Sequence, residues 1–239
     1  MKKERFWIFI PARSGSKSIK NKNIVKIQGR PLLAHSILIA KKLKFIGKVI
    51  VSSDSKKYLN IAQKYGADFL HLRSKNLSSD KTEDIAVFKG FLKDIKKLKL
   101  NPPDYFIHLR PTTPLRKTNI LRKGINLFLK NKNKYSAMRS VSPMIFPSQK
   151  TFKIRKKKLC SVVNNDYNLD SLNKPRNFFE KSFIPNGYID IIKTKNIKKS
   201  IIHGKKVLPF VIDRLVPDID NKKDLLFLKF LIKNRKKLY

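Results

Sequence analysis

Three stretches of the chain carry side chains whose types and spacing suit chemistry on a charged substrate. Asp218-Ile219-Asp220 sets two carboxylates two residues apart. Alternate side chains of an extended chain point the same way, so the pair converges. With only 16 acidic residues in the whole chain, such a pair stands out. It suits Mg2+, which takes carboxylate oxygens together with substrate phosphate. Asp-x-Asp also arises by chance, and Asp220 is placed to cap a helix opening near Asn221. The second stretch, 11–23, reads Pro-Ala-Arg-Ser-Gly-Ser-Lys-Ser-Ile-Lys-Asn-Lys-Asn. Glycine and serine let it turn tightly and aim N–H groups at an anion, while Arg13 and Lys17 supply full charge. It lacks the Gly-Lys-Ser/Thr ending of a P-loop and the glycine spacing of a dinucleotide fingerprint. The third, Arg110-Pro111-Thr112-Thr113-Pro114-Leu115-Arg116, is stiffened by two prolines. A basic loop early and a carboxylate pair late describe a site for a nucleoside triphosphate and a metal ion. A solvated basic turn and a rigid connection with incidental arginines are the plainer readings of the two loops.

Other chemistries find less support. His35, His71, His108 and His203 are scattered without zinc-ligand spacing, and Cys160 is alone. No hydroxyl, imidazole and acid fall together at loop positions as hydrolysis would need. His35 within a helix and His203 in a basic turn read as structural or solvated.

The elements that must position these loops alternate. Residues 6–10 form an unbroken run of aromatic and β-branched side chains, expected of a strand buried on both faces. Pro31 opens a helix with Leu32, Leu33, Ser36, Ile37 and Ala40 on one face, and 49–51 is a second buried strand. A helix over 58–65 closed by Gly66 and a strand over 68–72 follow. A helix spans 82–100, with Phe88, Phe91, Leu92, Ile95 and Leu98 near one face. Next come a strand at 105–109 and a helix at 120–129, with Ile125 and Phe128 inward. The pattern predicts an α/β protein, a mostly parallel sheet flanked by helices, with ligands at the edge where strands lead into loops. From about 134 to 184 the pattern loosens into an inserted lobe with a Lys-rich hairpin at 150–160. Strands at 189–192 and 207–212 return to the sheet. A terminal helix over 225–238 carries Leu226, Phe230 and Leu231 or Ile232 on its buried side. The whole of 1–239 reads as a single domain.

Composition bounds the class. The 239 residues hold 56 Lys plus Arg, giving a formal net charge of +40, and 41% hydrophobic types, enough for a sizeable core. Eight Gly, 12 Pro and one Cys exclude collagen, mucin and disulfide-knot classes. The charge invites a nucleic-acid reading, but the lysines run through several helices and the hairpin instead of one patch, and the aromatics sit at core-like positions. No stretch approaches the roughly 20 apolar residues of a membrane span, and the apolar run at 6–11 is too short for export. A cytoplasmic protein without membrane or specific nucleic-acid partners is expected.

Six motifs in order resemble the acylneuraminate cytidylyltransferases, the synthetases of CMP-sialic, legionaminic and pseudaminic acids. They are Ile10-Pro11-Ala12-Arg13-Ser14-Gly15-Ser16-Lys17 with Lys22-Asn23; Val51-Ser52-Ser53-Asp54; Leu72-Arg73 with Leu77-Ser78-Ser79-Asp80; the 110–116 loop; Pro185-Asn186-Gly187; and Asp218-Ile219-Asp220. The resemblance implies a Rossmann-like nucleotidyltransferase fold, a homodimer exchanging the inserted lobe, and transfer of CMP from CTP to a nonulosonic acid with release of pyrophosphate. It implies that Arg13, Ser14 and Lys17 grip the triphosphate, that Asn23 orients it, and that Arg73, Ser79 and Asp80 surround the cytidine. It implies further that Arg110 meets nucleotide or sugar, that Asn186 and Gly187 wall the site, and that Asp218 and Asp220 bind Mg2+, with Asp218 or a water taking the proton. Arg176 is the candidate for the sugar carboxylate. Arg110 stands where many of these enzymes have Gln, and Ile184 where Arg is common. These departures leave the bacterial nonulosonates open beside N-acetylneuraminate. A 3-deoxy-manno-octulosonate type of cytidylyltransferase is the rival within enzymes, and a basic nucleic-acid-binding protein the rival outside them.

Overall fold

The computed structural model describes residues 5–234. Strand β1 (Phe6–Pro11) lies at the centre of the fold, and its alternation decides the layers. Phe6, Ile8 and Ile10 face one side, where they meet α1 (Leu32–Lys41), α2 (Lys56–Lys64) and α4 (Thr118–Asn131). Trp7 and Phe9 face the other, against α3 (Asp84–Lys97) and α5 (Thr194–Lys198). A strand covered on both faces needs apolar residues at every position, which is why the run is unbroken. The Phe9 ring lies 4.4 Å from that of Phe88 and 5.3 Å from that of Phe91, with all three side chains fully or almost fully buried. Each such ring contributes about 1.5–3 kcal/mol of burial, so α3 is pinned to the sheet and Asp84 at its start is held with it.

The sheet has seven strands. In spatial order they are β11 (Val207–Val211), β7 (Ala137–Pro143), β10 (Phe183–Lys193), β6 (Tyr105–His108), β1, β4 (Lys48–Ser53) and β5 (Phe69–Leu72). Only β10 runs against its neighbours β6 and β7; the other pairings are parallel. The expected mostly parallel sheet flanked by helices is therefore present, as a mixed sheet. Two small ribbons stand apart: β2 (Lys26–Ile27) with β3 (Arg30–Pro31), and β8 (Phe152–Arg155) with β9 (Lys158–Ser161).

Three expectations change. The loosened stretch expected over 134–184 gives β7 and the start of β10 to the main sheet, so the part outside it runs from about 144 to 182. The terminal helix α6 (Lys222–Lys233) buries Leu228 and Leu231, while Leu226 and Phe230 are exposed. Its expected extension to 238 reaches beyond the described residues. Leu98 is 58% exposed because α3 ends at Lys97 and the following residue leaves the helix face. No helix among the described residues is long and apolar enough to cross a membrane.

Candidate functional site

In parallel strands the loops that follow β1, β4, β5 and β6 share one edge of the sheet, and the expected motifs gather there. An open cavity of about 360 Å³ is lined by Arg13, Asn23, Arg73, Ser79, Asp80 and Arg110, and also by Asp218 and Asp220. A second, of about 870 Å³, lies between the 142–151 and 184–186 segments and residues 213–220. Asp218 and Asp220 line both cavities.

The first loop is fixed at several points. Ser14 donates from its amide and its hydroxyl to Asp54, at 2.9 and 2.7 Å. The anion that this amide faces is thus a carboxylate of the protein, and Ser14 is not among the residues lining the cavity. Asn23 is buried and donates to the Arg13 carbonyl at 2.9 Å, so it shapes the loop from beneath. Arg13 and Lys17 both close on Asp80, Lys17 at 2.7 Å. Lys17, then Arg13, hold the Asp80 carboxyl below the usual carboxylate range. The two cations that suit phosphate already hold one carboxylate between them. Ser79 shares a hydrogen bond of 2.8 Å with Thr82, and both line the same cavity. Arg73 is buried beside them, its Nε without a hydrogen-bond partner.

The carboxylate pair flanks a buried residue. Ile219 is buried in a small core with Ile19, Leu32 and Leu228, and its amide bonds the Thr112 carbonyl at 3.0 Å. Asp218 and Asp220 therefore turn outward on either side of it. Asp218 accepts from Thr113 Oγ1 at 3.2 Å, and Asp220 from Lys22 Nζ at 3.2 Å. The cap of α6 is Asn221 in a reciprocal box with Asp224, which removes the capping role from the Asp220 side chain. Among the described residues no three His, Cys, Asp or Glu are placed to hold a metal ion between them. Two open carboxylates beside a phosphate-sized basic pocket fit Mg2+, which needs few protein ligands and keeps water and substrate oxygens for the rest.

Arg110 does not stand as a free cation. Its guanidinium spans Asp84 at 2.8 Å and Asp190 at 3.1 Å. Asp190 is buried; burial pushes its carboxyl up, but His203, Arg110 and His108 together hold it down at about 2. Removing one partner would leave a buried charge uncompensated, typically a loss of about 3–5 kcal/mol. Arg116 is the hidden fastener of the region. Fully buried, with its pKa lowered to about 9 by burial, it donates to the carbonyls of Tyr188 (2.7 Å), Gly187 (2.9 Å), Arg110 (2.9 Å) and Thr113. It locks the 110–116 loop to the 187–188 segment. Gly187 has φ +65°, and a Cβ there would lie 2.9 Å from Thr113 Oγ1, the hydroxyl that holds Asp218. Asn186 is buried, lines the larger cavity, and donates to Ser142 Oγ at 2.9 Å.

Arg176 is not among the residues lining that cavity; it lies over the Phe146 ring at 4.3 Å. Arg214 does line it, with Nη2 on the Tyr188 hydroxyl at 2.8 Å and Nε buried without a partner. Sequence reasoning quoted Asp54 and Arg116 within its motifs without giving them a role, and passed over Asp84, Asp190 and Arg214. Asp84 opens a helix and Asp190 sits among isoleucines of a buried strand, a place where an acid requires a partner.

A family model described as cytidylyltransferase matches residues 7–215. The chain is 31% identical over 228 residues to the pseudaminic acid cytidylyltransferase of Campylobacter jejuni, covering 94% of each. It is 32% identical over 219 residues to the N-acylneuraminate cytidylyltransferase of Escherichia coli, covering 90% of this chain and about half, 49%, of that protein. Among solved structures, a CMP:2-keto-3-deoxy-manno-octonic acid synthetase complexed with CTP superposes with TM-score 0.69 over 97% of this chain and 100% of that one. At 13% identity that likeness speaks for the fold alone.

Proposed function

The chain belongs to the cytidylyltransferase family, a family of nucleotidyltransferases, and on that premise we propose that it transfers CMP from CTP to the anomeric hydroxyl of a nonulosonic acid, releasing pyrophosphate. One observation carries the reading: Asp218 and Asp220 line both a basic cavity of nucleotide character and a larger one beside it. Transfer requires the attacking oxygen and the α-phosphorus to meet, and a carboxylate pair shared by both cavities stands at that boundary.

CTP enters the smaller cavity, where its phosphates replace Asp80 on Arg13 and Lys17, and Arg73, Ser79 and Thr82 face the nucleoside. Asn23 keeps Arg13 in place from below. Arg110, neutralised by Asp84 and Asp190, acts as a rigid wall between loops and not as a phosphate grip. The sugar occupies the larger cavity against Ile145, Phe146 and Asn186, and Arg214 takes its carboxylate, with Arg176 supporting Phe146. The anomeric oxygen attacks the α-phosphorus, the bond to the bridging oxygen breaks, and pyrophosphate leaves. Asp218, or a water beside it, takes the proton of that hydroxyl. Asp218 and Asp220 hold Mg2+, whose positive charge, when bound, offsets the charge that builds on the phosphates.

A homodimer belongs to the same reading. The segment outside the sheet exposes Ile145 (81%), Ile154 (76%) and Phe178 (67%), apolar side chains that a second subunit would cover.

The test is a panel of four nucleoside triphosphates against several nonulosonic acids and 3-deoxy-manno-octulosonate, with and without Mg2+, read as pyrophosphate release. Turnover with CTP, Mg2+ and a nonulosonic acid is expected. Turnover with the octulosonate alone would move the substrate class. No turnover across the panel, together with tight duplex binding at about 150 mM salt, would replace the enzyme reading with a nucleic-acid one.

A further inference from the structure

The edge of the sheet opposite the candidate site has a different chemistry. There the loops lead into strands, and they are crowded with lysine: Lys42 and Lys44 before β4, Lys99 before β6, Lys134 before β7, Lys205 and Lys206 before β11. Acids are nearly absent from these loops. The two that occur among the described residues, Asp68 and Asp104, accept from the amides of Val49 and Arg5, each at 2.8 Å, and lie within ion-pair distance of Lys41 and Arg5. Asp54, Asp80, Asp84, Asp190, Asp218 and Asp220 all gather around the site at the other edge. Few acids are therefore left to offset the lysines of this edge.

A cleft opens on this basic side between α3 and α5, with a volume of about 660 Å³. Its floor is apolar, built from Leu92, Ile95, Leu100 and Ile197, and its rim carries Lys89, Lys93, Lys96, Lys99 and Lys198. No carboxylate lines it. Lys89 bonds the Ser200 hydroxyl at 2.9 Å. Among the described residues no carboxylate lies within ion-pair distance of Lys93, Lys96, Lys99 or Lys198. Exposed apolar side chains stand among the lysines of the same edge: Phe45 (42%), Leu98 (58%) and Ile201 (42%).

From this juxtaposition we propose that the lysine-rich edge docks on an anionic lipid surface, with lysines at the headgroups and Phe45, Leu98 and Ile201 at the acyl boundary. Charge complementarity selects an anionic partner, at about 1 kcal/mol per lysine near such a surface. The apolar floor and the exposed Phe45 and Leu98 favour lipid over nucleic acid, whose backbone offers nothing to bury them. The expectation of no membrane partner rested on the lack of a spanning segment, which leaves peripheral attachment open. Docking by this edge keeps the catalytic edge turned to water.

The experiment is vesicle flotation at about 150 mM salt, using phosphatidylcholine alone and phosphatidylcholine with about 30% phosphatidylglycerol. The protein is expected to float only with the anionic vesicles. Lys93→Glu/Lys96→Glu is expected to weaken binding at least about tenfold, and Phe45→Ser/Leu98→Ser to leave binding that added salt abolishes. Lys56→Glu/Lys57→Glu on α2, exposed and away from the cleft, makes the same change of charge and is expected to shift binding less than about twofold. Equal losses in the two charge-reversed variants would mean diffuse charge and overturn the proposal. Failure to float, alongside retention of single-stranded RNA at the same salt, would assign the edge to nucleic acid instead.

Discussion

Asp80 is the residue on which the candidate site turns. It sits on Arg13 and Lys17 as a phosphate would, so on the proposed reading nucleotide binding is an exchange of anions and not an addition. Asp80→Asn removes the competitor, and inorganic tripolyphosphate is expected to bind about two- to fivefold tighter, the scale of exposed ion pairs. Calorimetric titration reads this directly, and weaker binding would show that Asp80 serves the nucleotide itself. On the sugar side, Arg214→Ala is expected to raise the KM for the sugar about tenfold with little change in the KM for CTP, as for loss of a charge-assisted hydrogen bond. Arg176→Ala, outside the cavity lining, should stay within about twofold. The reverse ranking in steady-state kinetics would return the carboxylate to Arg176. The motif residues were readable because loop chemistry is local. Arg176 and Arg214 were not distinguishable, since which arginine faces a cavity depends on the packing of segments far apart in the chain.

At the scale of elements, β6 and β10 place His108 opposite Asp190. Burial, then the Arg110 charge, pushes the His108 ring down to about 4 from 6.5. An unfolded chain takes up the proton that the buried ring refuses, so stability is full above about 6.5 and is lost as pH falls toward 4. Asp190, held at about 2, extends the loss below that range. The Tm is expected to fall steadily between pH 6.5 and 4.5, and less steeply in His108→Asn. An unchanged slope in that variant would deny His108 its share. Strands β1 and β4 were plain in the sequence as apolar runs, and α1 showed its buried face correctly, because burial on one or both faces dictates residue type directly. Helix α6 misled because it is apolar nearly all round. Leu225, Leu228 and Leu231 compete with Leu226 and Phe230 for the inner face, and only tertiary contact decides. The Asp84–Arg110–Asp190 bridge was hidden for a related reason: it joins a helix start, the loop after β6 and strand β10, which are neighbours only after folding.

At the scale of the molecule, the net charge divides. Read as a total, +40 pointed weakly to nucleic acid; the grouping of acids around the candidate site and the cleft rimmed only by lysines give parts of that charge separate places. The exposed apolar side chains of 144–182 set a separate expectation, that sedimentation at micromolar concentration gives a dimer and Ile154→Lys shifts it toward monomer. A monomer at all concentrations would remove the homodimer. The most direct measurement of the central claim concerns the carboxylate pair shared by the two cavities. In Asp218→Asn and Asp220→Asn, CMP-sugar formation under saturating CTP, sugar and Mg2+ is expected to fall by about 10²-fold or more, the scale of losing one electrostatic stabiliser of the transition state. Binding of CTP without metal should stay within a few-fold of the parent protein. Near-normal turnover in both variants would contradict the site.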